Sequence, residues 1–165
     1  MKKQLYTIVD VKKTCNELLQ TTFPDITIYG NGVYDGYTRP SFFTEILEAS
    51  NNLSPYQRSR GYSYKITYFE TTHNEKRCME IYEEILYVFG IDVTIRTEDR
   101  KMRLLVDSID YQWIDTNADK MQITIDFADT VQIGGRTETE DIAESCETVV
   151  RNESEGEKWD LEYQA

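Results

Sequence analysis

The sequence is poor in the residues that build metal centres and nucleophilic active sites. Its 165 residues include one histidine and only three cysteines, Cys15, Cys78 and Cys146, which form no Cys-x-x-Cys pair. A structural zinc site takes about four ligands of these types, so we expect no metal, and we interpret Cys15 and Cys78 as small buried hydrophobes. The sequence also lacks Gly-x-Ser-x-Gly, His-Glu-x-x-His and any Cys–His pairing. These absences predict a protein that is not an enzyme and holds no cofactor.

Long apolar runs and a basic surface are missing as well. The longest apolar stretch, "ILYVF" at 85–89, is far shorter than the roughly 20 residues of a membrane span. Asp10 and Lys12 interrupt the N-terminal segment before the apolar core of a signal peptide forms, so we expect no membrane association and synthesis in a reducing cytoplasm. The net charge is −12. Because gripping nucleic acid requires a basic footprint, we expect no sequence-specific nucleic-acid binding.

The acidic charge is concentrated at the C-terminal end. Residues 136–165 hold ten acidic and three basic residues, so we divide the chain into a folded domain over 1–135 and an acidic extension over 136–165. Within the extension, "DIAESCETVV" predicts a short helix and "WDLEY" a docking segment with apolar residues at alternate positions: Trp159, Leu161 and Tyr163. A purely solvating segment rarely keeps such residues. Docking on the chain's own sheet edge, docking on a neighbouring subunit and plain disorder all remain open.

Three glycines in "ITIYGNGVYDG" at 26–36 raise the question of a phosphate-binding loop. Such a loop needs a helix directly after it, whose N–H groups meet the phosphate. The following "PSFFTEILEAS" alternates as a strand instead, with Pro40 suited to its start, and no Lys-Ser/Thr follows. We therefore expect these glycines to connect two strands. They are the only feature that favours an alternative of another class, a small-ligand-binding or enzymatic α+β domain.

Hydrophobic periodicity predicts two helices among several strands. "IVDVKKTCNELLQ" has the apolar spacing of a helix that ends before Pro24. "THNEKRCMEIYEEILYVFG" predicts a second helix that begins with a Thr72–Glu75 capping box, has His73 in its first turn and stops at Gly90. Strand patterns occur in "DITIY", "SFFTEILEAS", "RGYSYKITYFET", "IDVTIRTE", "MRLLVDSIDYQWI" and "KMQITIDFADTVQI", while "NNLSPYQRS" is interpreted as a polar loop. The order predicts an α+β fold, a mostly antiparallel sheet with two helices packed on one face.

Three further segments carry a recognisable pattern: "GYTRPSFFTEIL", "YQRSRGYSYKITYF" and the acidic helix "NEKRCMEIYEEIL". Through them, residues 5–133 resemble the tail terminator family of tailed phages and phage-derived contractile particles. The family pattern is a Gly-x-x-x-Pro-x-Phe-Phe strand, then an Arg-x-x-Arg-x-Tyr strand that ends in Tyr-Phe. The first strand is matched by Pro40, Phe42 and Phe43. The second is matched by Arg58, Arg60, Tyr62, Tyr68 and Phe69, with the two arginines spaced by two positions rather than three.

The resemblance implies a structural assembly protein that forms a ring, usually a hexamer, at the head-proximal end of a tail tube. Its partners would be copies of itself, the tail tube protein and a sheath or neck connector protein, in a particle assembled in the bacterial cytoplasm. A neck connector or a tail tube protein of similar fold remains the alternative within this class. The candidates for contacts with neighbouring subunits or partners are Tyr34, Tyr37, Arg39, Arg58, Arg60, Trp159, Leu161 and Tyr163.

Overall fold

Two helices and six strands make up the part of the chain that the computed structural model describes, residues 6–30, 35–53, 57–97 and 101–132. The predicted extension over 136–165 lies outside these residues. The elements follow the order α1 (Ile8–Thr22), β1 (Thr27–Gly30), β2 (Ser41–Leu53), β3 (Gln57–Phe69), α2 (Glu75–Phe89), β4 (Asp92–Arg96), β5 (Lys101–Trp113) and β6 (Lys120–Gln132).

The six strands form one sheet in the order β1-β2-β3-β6-β5-β4. β1 runs parallel to β2, whereas β2–β3, β4–β5 and β5–β6 are antiparallel. β3 and β6 also run in opposite directions. Ser63 of β3 contacts Asp126 of β6, whereas Glu70, just after β3, donates its N–H to the backbone oxygen of Asp119, just before β6. The predicted α+β class and mostly antiparallel sheet are confirmed, and the glycine-containing segment does connect two strands.

Helix α1 begins and ends as its sequence predicts. The Thr7 side chain accepts the N–H of Asp10, and the Asp10 carboxylate accepts the N–H of Thr7, which completes a capping box. The helix ends at Thr22, two residues before Pro24. Its fully buried positions are Val11, Cys15 and Leu19, and Leu18 is only partly buried beside them.

Helix α2 differs from the prediction at its start. Its N-cap is Asn74, whose side-chain oxygen accepts the N–H of Arg77 at 3.1 Å, so the predicted Thr72–Glu75 capping box is wrong. His73 therefore precedes the helix. Its ring instead contacts the backbone oxygen of Asn117 in the turn between β5 and β6. The predicted stop is confirmed, since Gly90 follows the helix with a φ of +53°, a region that glycine tolerates.

One face of the sheet packs against both helices and forms the core. The Tyr64 side chain in the middle of β3 reaches both of them: its hydroxyl donates to Asn16 of α1 at 2.6 Å, and its ring lies 6.2 Å from that of Phe89 in α2. The predicted alternation in β3 is confirmed, with every second residue buried: Tyr62, Tyr64, Ile66 and Tyr68. Of the two neighbouring phenylalanines in β2, Phe42 is the one fully buried on this face.

The predicted polar loop over "NNLSPYQRS" is mostly strand. β2 continues to Leu53 and β3 begins at Gln57, with Asn51 opposite Arg60 and Leu53 opposite Arg58. Cross-strand pairing therefore overrides the weak strand propensity of asparagine and serine here.

A β-bulge changes which side chains of β5 face the helices. The register with β6 shifts between Val106 and Ser108, and an inserted residue of this kind reverses the alternation. Before the bulge the inward side chains are those of Met102, Leu104 and Val106; after it they are those of Ile109, Tyr111 and Trp113.

Candidate interaction surfaces

The structure places the predicted contact residues at opposite ends of the sheet. Arg58 and Arg60 lie where β2 and β3 are joined, whereas Tyr37 and Arg39 precede β2 at the other end. About 30 Å separates the two groups, since nine residues of β3 at ~3.3 Å each run between them. The remaining four candidates lie outside the described residues: Tyr34, Trp159, Leu161 and Tyr163.

Arg60 is held within its own chain. Its Nε donates to Glu48 Oε1 at 3.0 Å, and its guanidinium lies over the Tyr62 ring at 4.9 Å from the centroid. Only 8% of the residue is exposed. A guanidinium that already has a carboxylate and an aromatic face is poorly placed to bind a second carboxylate from outside.

Arg58 is placed differently, although it lies only two residues away. Its Nε donates to the side-chain oxygen of Asn51 at 2.9 Å. Among the described residues it makes no ion pair, and its side chain is partly exposed. The Asn51 side chain is neutral and accepts from Nε alone. The other N–H groups of the Arg58 guanidinium are therefore suited to donate to a carboxylate of another molecule.

Tyr6 ties the start of α1 to the same end of the sheet. Its hydroxyl donates to the Asp129 carboxylate of β6, and its ring lies 6.2 Å from that of Tyr62. Burial, followed by the contact with Asp129, raises the pKa of Tyr6. This contact is not predictable from the sequence pattern of either segment alone. Its only local signal is an aromatic residue directly before the N-cap Thr7, a position that often packs on the body of the domain.

Arg39 fastens the segment before β2 to the opposite end of the sheet. Its Nη1 donates to the backbone oxygen of Glu70 at 3.1 Å and to Asp119 Oδ2 at 3.0 Å, and its Nη2 donates to the Tyr37 hydroxyl at 3.3 Å. The guanidinium also lies 5.4 Å from the centroid of the Phe69 ring. These contacts, the hydrogen bond to Tyr37 foremost, raise the pKa of Arg39 above its ordinary value. Arg39 is therefore committed to contacts inside the chain.

Tyr37 belongs to an aromatic cluster on the face of the sheet opposite the helices, here called the outer face. Its ring lies 5.1 Å from that of Phe43 and 5.4 Å from that of Phe69, and Phe43 stacks on Tyr29 at 5.3 Å. All four rings are only partly buried. The segment between β1 and β2 therefore carries an aromatic side chain for a reason: the Tyr37 ring helps to cover the outer face of β1, β2 and β3.

The turn between β5 and β6 contacts both α2 and the segment before it. His73 contacts the Asn117 oxygen, and the Cys78 thiol lies 3.8 Å from the Ala118 oxygen. Lys120 pairs with Asp115 at 3.0 Å and lowers the pKa of that carboxyl group. These contacts give the only histidine of the chain a structural explanation.

The described part of the chain contains no arrangement typical of a catalytic or metal centre. On the outer face, Ser63 and Ser108 both donate to the carboxylate of Asp126, but no imidazole lies beside them to activate either hydroxyl. Both described thiols are buried, as predicted, and burial raises the pKa of Cys78 to about 11. No group of three or more potential metal ligands occurs among these residues, and no helix among them is long and apolar enough to cross a membrane.

Comparison with known proteins gives one family. Residues 10–137 match a family model described as "Phage tail terminator protein". None of the curated proteins matches the chain. One solved structure aligns with 78% of this chain and 94% of its own at 7% sequence identity, with a TM-score of 0.46.

Proposed function

Since this chain belongs to the phage tail terminator family, we propose that it closes the head-proximal end of a phage or phage-like tail tube as a ring of about six copies. The ring stops polymerisation of the tube and offers a surface to the neck connector and, in a contractile particle, to the last sheath ring. Family membership itself establishes the coarser conclusion, a structural role in the phage tail.

The observation that carries the proposal is the extent of the match. The matched residues 10–137 include all six strands, α2 and nearly all of α1, so the likeness covers the folded body of the chain and not a short motif. The polar contacts within the domain also support a structural role. Arg39–Asp119, Arg60–Glu48 and Tyr6–Asp129 each join segments that are distant in the sequence. The net charge of −12 also suits a ring whose lumen DNA crosses without sticking.

Deleting the gene tests the capping proposal. We expect particles that lack this protein to have tubes of widely varying length, many without heads, and we expect the wild-type gene supplied in trans to restore a single length. Electron micrographs give the length distribution. A neck connector would instead leave tube lengths uniform and only remove heads, and a tail tube protein would leave no tubes, so either outcome would replace the proposal with that alternative.

Within the ring, we assign Arg58 to the contact between neighbouring subunits. Its guanidinium is partly exposed and, among the described residues, hydrogen-bonds only to Asn51, whereas Arg60 and Arg39 form ion pairs within the chain. Arg58→Glu should leave the monomer folded and abolish capping. The matched control is Lys13→Glu on α1, which also reverses an exposed cation. Tubes of normal length with Arg58→Glu would remove Arg58 from the interface.

The extension over 136–165 receives a docking role in the same proposal. "WDLEY" would cover an open sheet edge of its own chain or add a strand to a neighbour, with "NESEGEK" as the linker. Deleting residues 152–165 separates these cases: an intramolecular strand would lower monomer stability, while an intermolecular one would leave stability unchanged and weaken ring assembly. A truncated chain that melts and assembles like the full chain would show a passive extension.

A further inference from the structure

The second half of β5 is an open strand edge among the described residues. β4 pairs with β5 only from Lys101 to Leu105, and one further bond runs from the Val106 N–H to the Ile91 oxygen at 2.9 Å. Past the bulge, residues 108–113 pair with β6 on one side and with no described strand on the other. Natural sheets generally shorten, cover or distort such edges.

The hydrogen-bond alternation shows which backbone groups point out of this edge. The Ile114 N–H donates to the Lys120 oxygen across the β5–β6 ladder, so every second residue before it, Gln112 and Asp110, also bonds to β6. The backbone groups of Ile109, Tyr111 and Trp113 therefore point away from the sheet. The Ile109 oxygen agrees with this direction, because its partner is the Tyr82 hydroxyl of α2 at 3.3 Å and not a strand.

The side chains of the edge are apolar on one face and polar on the other. Tyr111 lies 4.7 Å from the Tyr82 ring and 6.4 Å from the Trp113 ring, yet 43% of it is exposed. Asp110 and Gln112 on the outer face are exposed. An edge with aromatic side chains on one face and backbone groups that no described strand pairs is the kind of surface that accepts another strand.

We propose that two copies of this chain pair through the β5 edges, antiparallel about a twofold axis at Tyr111, so that their sheets become continuous. The argument for a second copy as the occupant is that the edge is self-complementary in this register. Tyr111 lies opposite Tyr111 of the other copy, and Ile109 lies opposite Trp113, so apolar residues meet on the inner face. On the outer face Asp110 lies opposite Gln112, and within residues 109–113 no charge opposes a like charge. All three outward-pointing residues find backbone partners.

The neighbouring registers are worse, which makes the pairing specific. A shift of one residue on each strand toward the bulge places Asp110 opposite Asp110, and like charges directly opposed destabilise a strand pair. The opposite shift leaves Ile109 without an apolar neighbour on the other strand and shortens the ladder. In the favoured register the Tyr82 hydroxyl either shares the Ile109 oxygen or turns away from it.

Cysteine cross-linking in the full chain tests the register. With Cys146→Ser as the background and Cys15 and Cys78 buried, Tyr111→Cys places two thiols on residues about 5.5 Å apart between Cα atoms, which suits a disulfide. Asp110→Cys is the matched control, since its two copies would lie about 8 Å apart, beyond disulfide reach. We expect mild oxidation to cross-link Tyr111→Cys at least ten times faster than Asp110→Cys.

Equal rates for the two cysteines, or faster cross-linking at position 110, would overturn the register. The wild-type chain supplies an independent measurement: its Tyr111 and Trp113 amides should exchange with deuterium more slowly as protein concentration rises. Tyr111→Pro removes an outward N–H without touching the bonds to β6 and should abolish that dependence while the circular-dichroism spectrum is kept. Exchange independent of concentration in the wild type would overturn the pairing itself. The pair concerns the free chain, because a twofold axis cannot relate neighbouring subunits of one cyclic ring, so the proposal stands or falls separately from tube capping.

Discussion

Replacing Arg60 by alanine tests whether this arginine stabilises its own subunit. The change removes a charge-assisted hydrogen bond to Glu48, worth about 1.5–3 kcal/mol when shielded, and a cation–π contact with Tyr62, worth about 0.5–1 kcal/mol. Glu48 is 34% exposed, so water compensates part of its lost partner and the lower half of that range applies. We expect the free energy of unfolding to fall by about 2–3 kcal/mol, or about 8–12 °C in Tm for a domain of this size.

Urea denaturation of four proteins measures this effect: the wild type, Arg60→Ala, Glu48→Ala and the double variant. The cycle should give a coupling free energy of about 1–2 kcal/mol between the two side chains. Arg58→Ala is the matched control on the same strand and should change the stability by less than about 0.5 kcal/mol. A loss below about 0.5 kcal/mol for Arg60→Ala, or a coupling of zero, would refute the ion pair and return Arg60 to the list of contacts between subunits.

Three further predictions concern the core, the Arg39 contacts and alkaline pH. Phe42→Ala should cost about 3–5 kcal/mol in urea denaturation because the ring is fully buried, whereas Leu47→Ala on the outer face should cost less than about 1 kcal/mol; similar losses would show that the assigned strand faces are wrong. Arg39→Lys should lower the free energy of unfolding by about 1–2 kcal/mol, because one ammonium group cannot donate to Asp119, Glu70 and Tyr37 at once. An unchanged urea midpoint would contradict the three Arg39 hydrogen bonds. The folded state should also lose stability above about pH 10, where unfolded tyrosines ionise, by about 1.4 kcal/mol per pH unit for each buried tyrosine. The last tyrosines should ionise, by absorbance at 295 nm, only together with unfolding, and ionisation of all twelve tyrosines without unfolding would contradict the raised pKa values of Tyr6, Tyr64 and Tyr68.

The sequence predicted those elements whose apolar pattern is strong and uninterrupted. β3 alternates without a break from Tyr62 to Tyr68, and both helices carry an apolar residue at every third or fourth position, so periodicity decided their type and their buried face. The stop of α2 at Gly90 was predictable for a local reason, the tolerance of glycine for positive φ.

What the sequence could not predict depends on contacts between distant residues. Thr72 and Asn74 are both capable N-caps for α2, and the contact of His73 with the distant β5–β6 turn accompanies the choice of Asn74. The bulge in β5 has no local signal, although it decides that Tyr111 faces inward. Arg39 contacts Asp119 because β3 and β6 are neighbours in the sheet. The two residues are 80 positions apart in the sequence, so no local pattern predicts the contact.

For the candidate contact residues, too, the residue type was visible in the sequence while the partners of each side chain were not. The sequence draws attention to arginines in a strongly acidic chain, but it could not distinguish Arg58, which bonds to a neutral side chain, from Arg60 and Arg39, which are paired with carboxylates. The assignment of Tyr34, Trp159, Leu161 and Tyr163 to contacts stays a prediction.

Electron cryo-microscopy of intact particles tests the central claim most directly. The account predicts one ring of this chain at the head-proximal end of each tube, with density that accepts the six-stranded sheet and both helices in about six symmetry-related positions. The same chain should be absent from the remainder of the tube. Density for this fold repeated along the tube or located at the distal tip, or no copy of the chain in purified particles, would contradict the account.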